Sequence, residues 1–304
     1  VTDLFCDLVN LRVSDVVYDP CCGTGGFLIA AMQRMLKMAG GDSSLKENIR
    51  NNQLLGVELR PEMFTFACSN MMLRGDGKSN IDCGDCFAES IFQRIVKLHP
   101  TVAFLNPPYD QGTADQLHFV ERALQAVTPQ NGKVVAIVQM SCALKDDADT
   151  REARNRILKK HTLRAVISMP DDLFYPVGVV TCIMVFESNT PNAGQKTWFG
   201  YLKKDGFVKR KNQGRIDYFS RWNDIKETFL EAYHNKKEHI GLSVTREVTS
   251  TDEWCAEAYM ETDYTELTSR DFETVIRKYA IFKQLGITLL ETEAQEEDDE
   301  DEDD

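Results

Sequence analysis

The four-residue stretch Asn106-Pro107-Pro108-Tyr109 combines an amide, a rigid turn and an aromatic ring. It follows an apolar run at 102–105, which predicts a short buried strand. Two consecutive prolines cannot continue that strand, because neither has an N–H to donate. The amide and the backbone carbonyls can accept hydrogen bonds from an amine, and the tyrosine can stack on a flat ring. The stretch therefore suits a planar group that carries an amine, although Pro-Pro turns also occur in ordinary loops.

A Gly-rich segment from Asp19 to Phe27 (DPCCGTGGF) follows another predicted strand at 16–18. It departs from the dinucleotide-binding pattern G-x-G-x-x-G, because Leu28 stands where the third glycine would be. It is also not a P-loop, since no Lys-Ser or Lys-Thr pair follows. Asp19 precedes the loop, and a carboxylate suits a cationic ligand better than a phosphate. S-adenosylmethionine, a sulfonium with an amino group, fits this description.

Two further carboxylates follow predicted strands. Glu58 ends the strand at 54–57, where a carboxylate can accept hydrogen bonds from both ribose hydroxyls, although it can also be an ordinary surface residue. Asp85 follows the strand at 80–83 and can accept from an adenine amine or cap a turn. Four successive strand ends thus carry Asp, Glu, Asp and Asn. In open α/β sheets ligands bind at this edge, so the ordered set predicts a cofactor site there.

Predicted strands alternate with helices up to residue 187, which is typical of a parallel sheet with helices on both faces. The last two of these strands are joined by only nine residues, 170–178, so we expect them to pair antiparallel. Beyond them, the pattern predicts a hairpin at 196–208 with a turn at Lys204-Asp205-Gly206. The remaining predicted strands lie at 133–138, 163–169 and 179–186, and the predicted helices at 27–38, 61–74, 117–126, 150–160, 222–237 and 271–285.

The formal net charge of -13 is concentrated at one end of the chain. Residues 291–304 hold 11 acidic and no basic residues, which leaves 37 acidic against 35 basic elsewhere. Such a tail is expected to be solvated and disordered. The charge of the remaining chain neither supports nor excludes binding to nucleic acid.

Nine cysteines are scattered along the 304 residues, and Cys83 and Cys86 form a single C-x-x-C pair. A zinc site would require a second such pair, so we predict no metal. Reduced thiols indicate a cytoplasmic protein. No apolar run approaches the ~18 residues that a membrane helix needs. Because the first residue is Val1, we expect the chain to begin inside a longer protein.

These motifs together resemble those of S-adenosylmethionine-dependent N6-adenine DNA methyltransferases. The chain is most similar to the modification (M) subunits of type I restriction-modification systems. The resemblance implies a Rossmann-like class I methyltransferase fold, an α/β fold with a seven-stranded, mostly parallel sheet whose last strand is antiparallel. It divides the chain into a catalytic domain at 1–187, a C-terminal α+β extension at 188–288 for subunit and DNA docking, and the acidic tail at 289–304. The motifs that carry it are DPCCGTGGF (19–27), GVE (56–58), GD (84–85), NPPY (106–109) and MPDDLFYPVGVVTCIMVF (169–186).

The resemblance also implies roles for individual residues. The loop binds the methionine part of the cofactor, Glu58 with Leu59 binds its ribose, and Asp85 with Cys86 binds its adenine. Asn106 and the Pro107 carbonyl accept from the amine of the target base, beside Pro108. Tyr109 stacks on one face of that base, and Phe174 covers the other or is a core aromatic, with Tyr175 as its substitute. The loop residues are Asp19, Pro20, Cys22, Gly23, Thr24, Gly25, Gly26 and Phe27.

The implied partners are double-stranded DNA, a separate specificity (S) subunit and a restriction (R) subunit, because M subunits carry no large target-recognition domain. A GxFxTP-like segment that helps such enzymes close over the cofactor is absent here, so we expect this chain either to bind the cofactor weakly or to be inactive. Three alternatives stay open at this stage. They are an N4-cytosine target, methylation of a protein glutamine or of ribosomal RNA, and a non-catalytic M-like scaffold.

Overall fold

A nine-stranded sheet and a separate two-stranded ribbon organise the chain. The computed structural model describes residues 1–75, 80–110, 112–210, 214–261 and 268–285. The strands are β1 (Val17–Asp19), β2 (Leu54–Glu58), β3 (Asn80–Cys83), β4 (Val102–Leu105), β5 (Lys133–Gln139), β6 (Thr162–Ser168), β7 (Thr181–Glu187), β8 (Lys196–Tyr201), β9 (Val208–Arg210), β10 (Gly214–Ile216) and β11 (Ser243–Glu247).

Helices connect most of the strands. The six predicted helices are present, with ends within four residues of the predicted ones, whereas the helices at 2–8, 43–52, 89–96 and 141–144 were not among those predicted. Pro61 opens one of the six predicted helices, at the first helical position, where its missing N–H costs nothing. The helices are α1 (Thr2–Leu8), α2 (Gly26–Met38), α3 (Ser43–Asn52), α4 (Pro61–Leu73), α5 (Glu89–Val96), α6 (Thr113–Val127), α7 (Ser141–Leu144), α8 (Ala148–Lys160), α9 (Trp222–His234) and α10 (Ser269–Leu285).

The large sheet has the order β11-β8-β6-β7-β5-β4-β1-β2-β3. Neighbours among β1 to β5 pair parallel, whereas β7 lies between β5 and β6 and is antiparallel to both. The predicted α/β fold with an antiparallel last strand is therefore confirmed. All carboxyl ends of β1 to β4 meet at one edge of the sheet, because these strands run in the same direction.

Two strands beyond the predicted seven extend this sheet. β8 pairs parallel with β6, and β11 pairs antiparallel with β8. The predicted hairpin at 196–208 is therefore wrong. Its first half is an interior strand whose Trp198 and Phe199 are buried, while the hairpin of this region joins β9 and β10. A short apolar run with a nearby Asp-Gly cannot show which neighbour the strand will pair with.

The sheet is buried on both faces, and each face has its own hydrophobic cluster. In β4, Val102 and Phe104 belong to one cluster, whereas Ala103 and Leu105 belong to the other. This division follows from the alternation of side chains along a strand. Burial on both faces explains why the central strands read as continuous apolar runs.

The chain divides into two compact units, Val1–Met260 and Glu261–Asp304. Strands β8 and β11 place much of the predicted extension in the first unit, and the boundary at residue 188 stays a prediction. In the second unit, the structure describes α10, which exposes large apolar side chains such as Phe272 and Tyr279. The predicted acidic tail lies outside the described residues. Across the part of the chain that the structure describes, no helix has the length and apolar character to cross a membrane.

Candidate active site

A cleft of about 620 Å³ opens at the carboxyl ends of β1 to β4. It brings together most of the predicted site residues from three separate motifs and the Asn106 turn. The predicted residues that line it are Pro20, Gly23, Glu58, Leu59, Asp85, Cys86, Asn106, Pro107, Pro108 and Tyr109. The predicted residues outside the lining are Asp19, Cys22, Thr24, Gly25, Gly26, Phe27 and Phe174.

Asp19 is buried at the end of β1, with only 1% of its surface exposed. Its Oδ1 accepts a hydrogen bond from the Cys21 N–H at 3.0 Å, while its Oδ2 is buried without a hydrogen-bond partner. Burial, with a smaller contribution from the charge of Glu58, raises the pKa of Asp19 to about 8. A cationic group beside Oδ2 would stabilise the carboxylate, so this residue is suited to an ammonium ligand.

The Gly-rich loop leaves room for a ligand above Asp19. Gly23 and Gly25 have φ values of 53° and 85°, which are favourable for glycine but strained for other residues. A Cβ atom added at Gly23 or Gly26 would meet no heavy atom within 4 Å. The Cys22 N–H donates to the Val57 carbonyl at 3.0 Å and so ties the loop to β2. The loop therefore combines an anchored backbone with open space beside its glycines.

Phe27, at the end of the motif, faces the core instead of the cleft. Its ring stacks on Phe5 with the centroids 4.5 Å apart, and it lies 6.0 Å from the ring of Phe104. In this arrangement Phe27 fixes α2 against α1 and β4. Any role toward a cofactor would be indirect, through the position of the loop.

Glu58 is the second buried carboxylate of the cleft, and both of its oxygens have partners. Oε2 accepts from the Gly23 N–H and Oε1 from the Arg60 N–H, each at 2.9 Å. These bonds hold the end of β2 against the Gly-rich loop. Each carboxylate oxygen has a further lone pair, so a pair of hydroxyl groups can still be bound.

The loop after β3 is held by an arginine that was not among the predicted site residues. Arg122, on α6, donates to the Cys86 carbonyl at 3.2 Å and to the Phe87 carbonyl at 3.1 Å. Its guanidinium lies 3.4 Å from the ring centroid of Phe92. Asp85 accepts from the Phe87 N–H at 2.9 Å and is exposed to the cleft. Arg122 thus positions a loop more than thirty residues away in sequence.

The Asn106 turn carries a second unpaired acceptor at this edge of the sheet, because Asn106 Oδ1 is buried without a partner. Tyr109 donates through its hydroxyl to the Ile137 carbonyl at 3.5 Å, and burial raises its pKa. The rings of Tyr109 and Phe174 meet edge to face, with centroids 5.8 Å apart and planes at 71°. The predicted pair of aromatic residues is therefore assembled, with the two rings in contact with each other.

The two unpaired acceptors belong to neighbouring strands. β1 pairs with β4 in parallel, with Val17 opposite Val102 and Tyr18 opposite Ala103. Asp19 and Asn106 follow these pairs at the carboxyl edge. This edge of the sheet thus offers an acceptor for a cation on β1 and, at the end of the adjacent strand, an acceptor that lines the cleft and suits an amine.

Five residues outside the set of predicted site residues also line the cleft, and two of them, Cys21 and Gly84, lie inside the predicted motifs. The interaction of the Cys21 thiol with that of Cys86, together with burial, raises the pKa of Cys21. Phe119 reaches the cleft from α6 and packs on Phe87, with ring centroids 4.8 Å apart. Four of the five adjoin a predicted site residue in the sequence, which could have suggested that they line the site. Phe119 has no such neighbour, so nothing in the sequence pointed to it. The set is Cys21, Arg60, Gly84, Asp110 and Phe119.

Solved structures share this fold. A chain from a type I restriction-modification system aligns with all of this chain and 66% of its own length, with a TM-score of 0.67 and 20% identity. The EcoKI M protein gives a TM-score of 0.62 and 19% identity over 74% of this chain and 51% of its own. A Listeria monocytogenes protein described as a class I S-adenosylmethionine-dependent methyltransferase aligns with 77% of this chain and 68% of its own, with a TM-score of 0.52 and 14% identity. At these identities the likeness establishes the fold.

The relatives found by sequence also belong to restriction-modification systems by their names. The type II restriction enzyme and methyltransferase RM.BcgI of Heyndrickxia coagulans is 33% identical over 93% of this chain and 45% of its own length. The type I restriction enzyme EcoKI methylase subunit of Escherichia coli is 25% identical over 60% of this chain and 38% of its own. The chain thus spans less than half the length of these relatives. Because the model of the N-6 DNA methylase family matches residues 1–284, the chain belongs to that family.

Proposed function

We propose that this chain transfers a methyl group from S-adenosylmethionine to N6 of adenine in DNA, as the modification part of a restriction-modification system. Membership of the N-6 DNA methylase family supports this proposal. The observation that carries it is the pair of buried, unpaired acceptors, Asp19 Oδ2 and Asn106 Oδ1, at adjacent strand ends. Buried polar atoms are rarely left without partners in folded proteins, so a ligand is the natural source of the missing donors.

The residues of the cleft fit the methyl donor part by part. Asp19 would accept from the amino group of the methionine portion, beside the open backbone at Gly23. Glu58 would accept from the ribose hydroxyls, and Asp85 from the adenine amine. When bound, S-adenosylmethionine supplies an electrophilic methyl group, which the amine nitrogen of the target takes up as the C–S bond breaks.

The Asn106 turn prepares the amine for this reaction. Asn106 Oδ1 and the Pro107 carbonyl would each accept one N–H of the amine, which draws the nitrogen lone pair out of conjugation with the ring. The proton leaves to water after the new N–C bond has formed, so no dedicated base is needed. Tyr109 has a raised pKa and stays a protonated phenol. Positioning and electrostatics therefore account for the rate.

The target base must leave the DNA stack to reach this turn, at a cost of a few kcal/mol. Tyr109 would stack on one face of the flipped base, a contact worth roughly 1–3 kcal/mol. Phe174 packs edge to face against Tyr109, beside the proposed position of the base. To cover the second face, it must move away from Tyr109 as the base enters.

The partners proposed for the chain follow from its relatives. One relative is described as a methylase subunit of a type I restriction enzyme, and another combines restriction enzyme and methyltransferase in its name. Together with the resemblance of the motifs to type I modification subunits, these names support double-stranded DNA, a specificity subunit and a restriction subunit as the proposed partners. The region at 188–288 would supply docking surface and contacts to the DNA backbone.

Transfer of a labelled methyl group tests this function. The protein is incubated with labelled S-adenosylmethionine and duplex DNA, RNA or release factor, with and without a candidate specificity subunit, and the product is identified by mass spectrometry. Label at N6 of adenine in DNA is the expected result, and Asn106→Ala supplies the background. Label only in protein or RNA would overturn the proposal. Label at N4 of cytosine would correct the base, and DNA binding without transfer would indicate a scaffold.

A further inference from the structure

A basic and aromatic surface lies on the β9–β10 hairpin and the segment that follows it. Residues 203–221 hold seven basic and two acidic residues, a net charge of +5 in a chain whose total is -13. We call its exposed part the hairpin patch, which consists of Lys209, Arg210, Tyr218, Phe219 and Arg221. Its two aromatic side chains are 58% and 55% exposed, so they do not serve a hydrophobic core.

The aromatic rings of the patch hold its guanidinium groups. Arg210 lies 4.4 Å from the centroid of Tyr218, and Arg221 lies 5.3 Å from that of Phe219. The two rings themselves meet at 5.0 Å with their planes perpendicular. Cation–π contacts leave the N–H groups at the rim of the guanidinium available as donors. The patch thus presents two oriented sets of cationic hydrogen-bond donors.

The acidic residues near the patch are already engaged elsewhere. Asp217 accepts from the backbone N–H groups of Arg221 and Trp222 and so begins α9. Asp205 accepts from Arg215 at 2.7 Å. Within the part of the chain that the structure describes, neither Arg210 nor Arg221 forms an ion pair with a carboxylate. Their charge is therefore available to an anionic ligand.

The patch is continuous with the proposed site of the target base. Asp172 pairs with Arg215 at 3.0 Å and with Lys209 at 3.6 Å, and Lys209 lies 5.1 Å from the ring of Tyr175. Asp172 and Tyr175 flank Phe174, whose ring contacts Tyr109 in the cleft. If one unit of a polymeric ligand lies against Tyr109, the neighbouring units of the same polymer would lie near the hairpin.

We infer that the hairpin patch binds the phosphate backbone of double-stranded DNA beside the flipped base. This inference rests on the proposed function, because it takes the DNA to be the polymer that enters the cleft. Phosphodiester groups are anionic, they repeat along the polymer, and planar guanidinium donors bind them with defined geometry. The contact is independent of sequence and would fix the register of the duplex over the site.

The test measures DNA affinity against salt concentration for an Arg210→Ala/Arg221→Ala variant. A fluorescein-labelled random-sequence duplex serves as the probe, and anisotropy gives the affinity. Each lost phosphate contact lowers the slope of log K against log salt by about one, so we expect a slope shallower by about two. The Lys-for-Arg pair, Arg210→Lys/Arg221→Lys, should keep most of the slope.

A control removes the same charge from the opposite end of the protein. Lys159→Ala/Lys160→Ala changes two exposed residues at the end of α8, just before the amino end of β6. Its slope should match that of the wild type, and both double variants should bind S-adenosylmethionine as the wild type does. Equal slopes for the patch variant and this control would overturn the inference.

Failure of the inference is distinguishable from failure of the proposed function. If the wild type methylates adenine in DNA while the patch variant keeps its full slope, the patch assignment alone is wrong. If the wild type neither methylates nor binds the duplex, the proposed function is wrong, and the inference falls with it. The same measurement can be made with a single-stranded RNA probe. If the patch variant has a shallower salt slope for that RNA but not for the duplex, the inference is also overturned.

Discussion

Two buried ionisable side chains in this molecule are paired in opposite ways. Arg154 on α8 is 1% exposed, as is Asp19 at the end of β1. The Arg154 guanidinium donates to the Cys142 carbonyl at 2.8 and 3.1 Å and to the Asp252 carbonyl at 3.3 Å, and lies 5.1 Å from the ring of Trp254. The Asp19 carboxylate has one backbone partner and one oxygen with none.

This difference indicates that Arg154 has a structural role and Asp19 a role in binding a ligand. Arg154 joins α7 to the chain segment around Asp252, and its donors are used within the protein. The carboxyl edge of β1 and β4 instead keeps two acceptors without donors, Asp19 Oδ2 and Asn106 Oδ1, which is unfavourable until a ligand supplies the donors. Strain of this kind is expected where a ligand completes the structure.

The largest effect is expected at the unpaired amide. Asn106→Ala removes the acceptor that holds the amine, so methyl transfer should fall by about 10²-fold or more, the usual loss for one preorganised polar group. The rate at saturating S-adenosylmethionine measures this effect. A transfer rate close to that of the wild type would show that the amide is not part of the reaction.

The next largest effect is expected on the stability of the protein when Arg154, whose donors all have partners, is replaced. Arg154→Met leaves the Cys142 and Asp252 carbonyls without donors, so the free energy of unfolding should fall by about 1–3 kcal/mol or more. Arg156→Met, on the same helix but partly exposed, should cost less than about 1 kcal/mol. Denaturant unfolding compares the two variants. Similar losses in both would show that the carbonyl network around Arg154 contributes little.

The raised pKa of Asp19 predicts a pH dependence of cofactor affinity. With a pKa of about 8, the free carboxyl is largely protonated at pH 6, whereas an ammonium ligand requires the carboxylate. Binding should therefore release a proton, and affinity should rise by up to about tenfold per pH unit until about pH 8. Titration calorimetry in buffers of different ionisation enthalpy measures the released proton. Affinity that is flat over this range would contradict the assignment.

The smallest effect is on the stability of the ligand-free protein. Asp19→Asn preserves the acceptor for the Cys21 N–H and removes a charge that burial disfavours. The folded pKa of about 8 lies above the ordinary value near 4, so the wild type loses stability as pH rises between these values, whereas the variant does not. The unfolding free energy of the variant at neutral pH should equal or exceed that of the wild type. A clear loss in the variant would place Asp19 with Arg154, as a structural charge.

The sequence predicted much of the sheet, because β1, β2, β4 and β5 are short apolar runs that end in polar residues or turns. It did not predict that Lys196–Tyr201 joins the same sheet, since pairing partners depend on contacts that are distant in sequence. Arg122 was missed for the same reason, because its acceptors, the Cys86 and Phe87 carbonyls, lie on another element. The sequence indicated a carboxylate at Asp19, but its unpaired oxygen became visible only in three dimensions.

The most direct test of the account is a comparison of S-adenosylmethionine binding by two variants in titration calorimetry. Asp19→Asn removes the proposed ammonium partner, and Asn106→Ala removes the proposed amine acceptor. The account predicts about 10–100-fold weaker binding for Asp19→Asn, the usual contribution of a hydrogen bond to a charged group. It predicts binding close to that of the wild type for Asn106→Ala. Weakened binding by Asn106→Ala with unchanged binding by Asp19→Asn would contradict the account.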